Sequence, residues 1–203
     1  MPIEVNPSDE ELVQRCQTGD FAAFEEIYKR YQRPILAYIY QIVRNYDEAG
    51  SIAQDVFLKV FEHVASFDIT RRFSTWFYTI ARNAAIDYLQ LRRRKAMISF
   101  TDLDRDDETS FVAASATAPA VDINKAMSAG EAKSHLAEAL AELPQMYREI
   151  IELVVFQERT YEDASVILGG ISLGTLRSRM FHALRRLRDR IEREGKVKFE
   201  DLL

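Results

Sequence analysis

The chain has few of the residues that cross-link, break or anchor a fold. It holds one cysteine, Cys16, in 203 residues, so neither an internal disulfide nor a cysteine-based zinc site can form. Seven glycines and five prolines are too few for a turn-rich all-β protein. No apolar run approaches the ~20 residues of a membrane helix, and the N-terminus MPIEVNPSDEEL lacks a basic-then-apolar leader. A cytoplasmic protein with no membrane span of its own is expected. The three histidines, His63, His135 and His182, are scattered without metal-ligand spacing, and there is no P-loop or dinucleotide glycine signature. No metal, cofactor or enzymatic activity is expected. Positive charge is in deficit as well: the net charge is −5 and the pI about 5.4. Taken whole, that balance argues against nucleic acid as a partner.

What is present changes that reading. Hydrophobic residues make up 47% of the chain, enough for one or two cores and too many for a mainly disordered protein. Charge is uneven along it. Residues 1–95 carry 13 basic and 13 acidic side chains, residues 96–130 carry 2 and 6, and residues 131–203 carry 12 and 13. Within these lie two basic stretches, Arg71 to Lys95 and Arg177 to Lys198, each with a net of +6. Such stretches suit either phosphate contact or a solvated helix face.

Apolar spacing is helical on both sides of the acidic segment. Phe24, Ile27, Tyr28, Tyr31, Ile35, Ile39 and Ile42 recur every three or four residues. Ile52, Val56, Val60 and Val64 form a second stripe flanked by Phe57 and Phe61; Phe73, Phe77, Ile80, Ala84, Tyr88 and Leu91 form a third. Ser8 with Glu11 predicts a capping box. Residues 99–130 have no sustained period and read as a tether that is flexible when free. Helices resume at Glu131. Pro144 suits the first turn of a helix running through Ile150, Ile151, Val154 and Val155. Thr160 with Asp163 caps a helix over Tyr161–Leu168, which Gly169-Gly170 ends. Ser172 caps a last helix with Leu173, Leu176, Met180, Leu184, Leu187 and Ile191 inward. The expected fold is all-α: two small helical domains joined by an acidic linker, the second a helix-turn-helix.

In a helix-turn-helix the first turns of the second helix enter the major groove. Around that helix, at about 100° per residue, Phe181, Arg185, Ser178 and His182 fall away from the apolar stripe, with Arg177 at its edge. Arg can donate to guanine, Ser to bases or phosphate, and Phe can touch a thymine methyl. Phe181 either packs on the preceding helix or meets a partner.

Read together, AFEEIYKRY (23–31), DEAGSIAQDVFLKVFEHVASFD (47–68), FSTWFYTIARNAAIDYLQLRRRK (73–95), LPQMYREIIELVVFQERTYEDASVIL (143–168) and ISLGTLRSRMFHALRRLR (171–188) closely resemble sigma factors of the extracytoplasmic-function (ECF) group. The likeness covers nearly the whole chain. It implies that residues 1–95 form a domain for core polymerase and the promoter −10 element. Residues 96–130 become a linker threading the polymerase, and residues 131–203 a domain for the −35 element. Gln54, Asp55, Phe57, Lys59 and Phe61 correspond to the grip on the polymerase clamp coiled coil, although both phenylalanines equally suit an internal core. Trp76, Thr79 and Asn83 correspond to −10 contacts, with Asn83 at the position that reads a flipped base and Trp76 either core or stacking platform. Arg92, Arg93 and Arg94 would sit against phosphates. Arg177, Ser178, Phe181, His182 and Arg185 correspond to −35 contacts. An anti-sigma factor is the usual further partner, and no sizeable regulatory domain is expected after Arg193. Three departures stand out: His182 where an Arg is frequent, a second glycine at Gly170, and Gly50-Ser51 in place of an acidic pair. The alternatives are a two-domain regulator without polymerase binding and, more remotely, a helical enzyme.

Overall fold

The computed structural model describes residues 7–103 and 130–194. Among them every regular element is helical. The chain divides into two compact units, Met1–Ala120 and Val121–Leu203.

The first unit contains α1 (Asp9–Gln17), α2 (Phe21–Val43), α3 (Tyr46–His63), a single 3-10 turn (Val64–Ser66) and α4 (Phe73–Leu103). Ser8 opens α1 with a reciprocal capping box: its hydroxyl accepts from the Glu11 N–H, and the Glu11 carboxylate accepts from the Ser8 N–H. Asp20 and Asn45 cap α2 and α3 in the same sense. Pro34 lies inside α2, where its ring removes one ladder hydrogen bond. The helix continues because Ile27, Tyr31, Ile35, Tyr38, Ile39 and Ile42 are buried along one stripe on both sides of it. Arg44 ends α2 in the left-handed region (φ 57°), and its guanidinium lies 4.9 Å from the Tyr40 ring centroid.

Short α1 acts as a tie. Asp9 accepts hydrogen bonds from the Tyr31 hydroxyl and from Arg30 Nη1 of α2. Glu10 accepts the Phe73 N–H at 3.1 Å, satisfying a first-turn donor of α4 from another helix. Gln17 donates to the carbonyls of Val64 and Phe67 at 3.1 and 2.8 Å. The turn that feeds α4 is thereby held at both ends.

The third stripe differs from expectation. Phe73, Phe77, Tyr78, Ala81 and Ala85 are buried, while Ile80, Ala84 and Tyr88 are half-buried and Leu91 is exposed. The Tyr78 ring enters the core against Tyr38 at 5.3 Å and Tyr31 at 6.4 Å, and both alanines are fully buried. Helix α4 also continues through Lys95 to Leu103, so the first residues expected in the linker are helical. The rest of the expected linker, with Asp104, Asp106, Asp107 and Glu108, lies outside the described residues.

The second unit contains α5 (Gly130–Glu142), α6 (Gln145–Ile151), a π-helical segment (Glu152–Phe156), α7 (Tyr161–Ile167) and α8 (Leu173–Glu194). Pro144 stands one residue before α6, at its N-cap. Leu140, Leu143, Ile150, Ile151, Leu153, Ala164, Ile167, Leu176, Met180, Ala183, Leu187 and Ile191 form the core. Arg190 of α8 forks onto Glu142 of α5 at 2.6 and 3.0 Å.

Glu152 is buried where α6 widens into the π segment. Burial pushes its carboxyl above the usual range, opposed by the Gln157 amide, which donates to it at 2.9 Å. A carboxyl whose folded-state pKa is raised holds its proton longer when folded than when unfolded. Its contribution is most favourable below the unfolded value of about 4.3 and is lost as pH rises through the folded value. Glu152→Gln keeps an acceptor for Gln157 and removes the charge. It is expected to raise the urea midpoint of the protein at pH 7, with the gain shrinking as pH falls toward 4. A gain of equal size at both pH values would contradict this account.

Candidate nucleic-acid interface

Three surfaces carry the residues singled out in the sequence. On α8 the burial of Leu176, Met180, Ala183, Leu187 and Ile191 turns the opposite face outward. Arg177, Ser178, Phe181, His182 and Arg185 are all exposed there. Phe181 is 63% exposed and, among the described residues, its one ring contact is with His182, at 5.5 Å. The Arg177 guanidinium lies 5.9 Å from the Tyr161 ring centroid, which steadies it at the mouth of the turn. Farther along, Arg186 sits 5.3 Å from the Tyr147 ring centroid and Arg188 pairs loosely with Glu192. Those arginines serve the fold as well as the surface potential.

The approach to α8 is built from local bonds. The Thr160 hydroxyl accepts the Asp163 N–H at 3.1 Å and donates to the Asp163 carboxylate at 2.7 Å. Gly169 and Gly170 are both left-handed, with φ of 87° and 83°. Ser172 caps α8 by accepting the Thr175 N–H at 3.2 Å.

On α4, Asn83 is exposed and Trp76 is half-buried. The indole packs on Phe67 at 4.8 Å and Phe73 at 5.7 Å. Thr79 is half-buried and donates its hydroxyl proton to the Thr75 carbonyl at 2.8 Å. Arg92, Arg93 and Arg94 are exposed about two and a half to three turns beyond Asn83. Burial, with Glu48 adding to it, pushes the Tyr88 phenol above its usual range while Arg92 draws it down, which places Arg92 beside that pair.

On α3, Gln54, Asp55, Lys59 and Phe61 are exposed along one edge. Phe57 is not with them. It is buried against Phe77 at 5.1 Å and under Tyr28 at 4.8 Å, so its ring ties α3 to α2 and α4. Sequence reasoning missed two members of the exposed edge. Leu58 is 61% exposed, and Phe21 at the start of α2 is 73% exposed and stacked 6.2 Å from Phe61. Leu58 falls off the α3 apolar stripe on a helical wheel, which is a signal in the sequence; Phe21 shares its wheel angle with buried Ile39, so its exposure at the first residue of α2 had none.

Residues 27–95 match the Sigma-70 region 2 family and residues 134–187 match the Sigma-70, region 4 family. The RNA polymerase sigma-H factor of Pseudomonas aeruginosa is 32% identical over 175 residues, covering 86% of this chain and 89% of its own. The chain belongs to the ECF-type RNA polymerase sigma factors. The ECF RNA polymerase sigma factor SigW of Bacillus subtilis is 29% identical, over 88% of this chain and 94% of its own. The sigma factor RpoE of Bartonella quintana, solved in complex with the anti-sigma factor NepR, shares the fold with a TM-score of 0.59 at 24% identity, covering 83% of this chain and 96% of its own.

The sigma factor's two α3 phenylalanines separate by experiment. Phe57→Ala is expected to destabilise the first unit by ~3–5 kcal/mol, the cost of emptying a buried aromatic site. Phe61→Ser and Leu58→Ser are expected to stay within about 0.5 kcal/mol of the parent. Urea denaturation followed by circular dichroism measures all three, and equal losses would place Phe61 in the core with Phe57.

Proposed function

We propose that this sigma factor joins polymerase core through the exposed edge of α3 and reads promoter DNA with α4 and α8. As an ECF sigma factor it recognises −35 and −10 promoter elements and promotes opening for transcription initiation. The observation that supports the −35 assignment most directly is Phe181, an aromatic ring left in solvent beside Arg177, Ser178 and Arg185 on a basic helix. Stability gains nothing from an exposed ring. A thymine methyl in the major groove would cover it, while Arg177 forks onto a guanine edge and Arg185 meets a phosphate. Neutral His182 can donate once and cannot make a bidentate guanine contact.

At the −10 element the Asn83 amide offers both a donor and an acceptor to the edge of an unpaired base. Trp76, braced by Phe67, and the half-buried Thr79 hydroxyl lie on the same helix, two turns and one turn before it. Stacking on an aromatic is worth ~1–3 kcal/mol per base, a scale that helps offset the few kcal/mol needed to extrude a nucleotide. Arg92, Arg93 and Arg94 hold the backbone alongside. In the α3 edge, Gln54 and Asp55 supply acceptors, Lys59 a cation, and Phe61 with Phe21 and Leu58 an apolar strip for the clamp coiled coil.

On this reading residues 1–95 and 131–203 are the two promoter-binding domains. The acidic stretch between them mimics nucleic-acid charge inside the polymerase. The nucleotidyl-transfer chemistry belongs to the polymerase, so the chain is not itself an enzyme. It works in the cytoplasm with the transcription machinery; among the described residues no helix is long and apolar enough to cross a membrane. The Bartonella quintana relative's complex favours an anti-sigma factor as a further partner.

Run-off transcription with purified core polymerase and a promoter library tests the whole reading. Core plus this chain should initiate where core alone does not; a two-domain regulator would give no product. Arg177→Ala and Phe181→Ala are each expected to weaken upstream-element binding by ~1–3 kcal/mol with core affinity unchanged, and unaltered binding in both would remove α8 from the interface. Asn83→Ala should spare duplex binding and slow strand opening, followed by 2-aminopurine fluorescence in the −10 element. Opening at the parent rate would refute its role.

A further inference from the structure

The turn between α7 and α8 holds one residue more than a helix C-cap needs. Gly169 occupies the left-handed position of a Schellman motif: its N–H bonds the Val166 carbonyl at 3.1 Å, and the Gly170 N–H bonds the Ser165 carbonyl at 2.8 Å. That motif asks for one left-handed residue. Here Gly170 is left-handed too, with φ of 83°. Two consecutive glycines have the widest conformational freedom a chain can have. By themselves they would leave the direction of the chain into the first turn of α8 free to vary.

Ser165 removes that freedom. Its carbonyl receives Gly170, and its hydroxyl donates to the Ile171 carbonyl at 2.7 Å. One half-buried residue thus holds two successive backbone units on the way to Ser172, the cap of α8. The constraint at Gly170 is conformational and not spatial, since a Cβ there would meet nothing within 4 Å. Phe181 lies nine residues past Ser172, about 13 Å along a helix, so a 10° change in direction at the turn moves it by about 2 Å. Hydrogen bonds to base edges tolerate much less than that.

We infer that Ser165, acting with the doubly left-handed Gly169-Gly170 turn, is a positioning residue that sets the register of α8 on the −35 element and thereby its base preference. This rests on the reading of α8 as the −35 helix. Burial of the Leu176–Ile191 stripe decides which face of α8 meets the core, while the Ser165 bonds fix the direction in which its first turn leaves the glycine pair.

The test uses full-length chain bound to core polymerase, selecting from a library randomised in the −35 element with the −10 element held constant, and from the converse library. Ser165→Ala is expected to lower discrimination between bases at the −35 positions about tenfold, the scale of one misplaced base contact. The −10 preference and core affinity should not change. Ser165→Thr, which keeps the hydroxyl, should restore the parent preference. Gly170→Asn, able to adopt the left-handed region, should also keep it, while Gly170→Val should lose it. An unchanged −35 preference in Ser165→Ala overturns the inference. So does a uniform loss at all sequences accompanied by a lower melting temperature, which marks a purely structural role. Arg177→Ala and Phe181→Ala run in parallel: if they too leave the −35 preference intact, the assignment of α8 itself has failed and the Ser165 role falls with it.

Discussion

Helices α4 and α8 each have a single apolar stripe, and burying that stripe decides which of their faces meets solvent. In α4 the decision is made by rings. Tyr31 of α2 lies 5.8 Å from Phe73, 5.0 Å from Phe77 and 6.4 Å from Tyr78. Packing all three, with Ala81 and Ala85 behind them, turns Asn83 and the Arg92–Lys95 run to solvent. In α8 the same is done by aliphatic side chains from Leu176 to Ile191, and Phe181 is left exposed because it lies off that stripe. Hydrophobic burial is non-directional in itself. It becomes directional when the residues that can be buried occupy one side of a rigid cylinder.

The acidic net charge has a similar division of labour. Several carboxylates are engaged inside the units: Asp9 with Arg30 and Tyr31, Glu10 with the α4 N-terminus, and Glu142 with Arg190, which holds the Glu142 carboxyl below the usual range. Local positive potential on α8 therefore coexists with a chain of net charge −5. Ties of this kind between exposed groups contribute little to stability one by one. Their use here is to hold geometry, as when Glu10 and Gln17 of α1 fix the two ends of the segment that leads into α4.

Much of this was legible beforehand because it is local. The Ser8 capping box, the Thr160–Asp163 cap, the glycine pair ending α7 and the Ser172 cap all formed as their spacing predicts, since each is made within three to five residues. The sigma-factor motifs were readable for the same reason, being continuous stretches in fixed order. What was not legible depends on neighbours. The α4 stripe passes through Tyr78, Ala81 and Ala85, because the partner helices offer room for a ring beside Tyr38 and bury both alanines. Phe57 and Phe61 have equal standing in the sequence, yet only Phe57 meets Phe77. The π-helical widening at Glu152–Phe156 and the α4 helix beyond Lys95 left no composition signal that separates them from their surroundings.

The sequence by itself determined the helices, their caps, the doubled glycine and the family, because these follow from short-range bonding and contiguous pattern. The tertiary structure alone decided which ring of a pair is core and which is edge, and that Ser165 reaches past Gly170 to Ile171. Such choices require two elements to be in contact, or a turn to be closed. No residue's chemistry contains that information until its neighbour is in place.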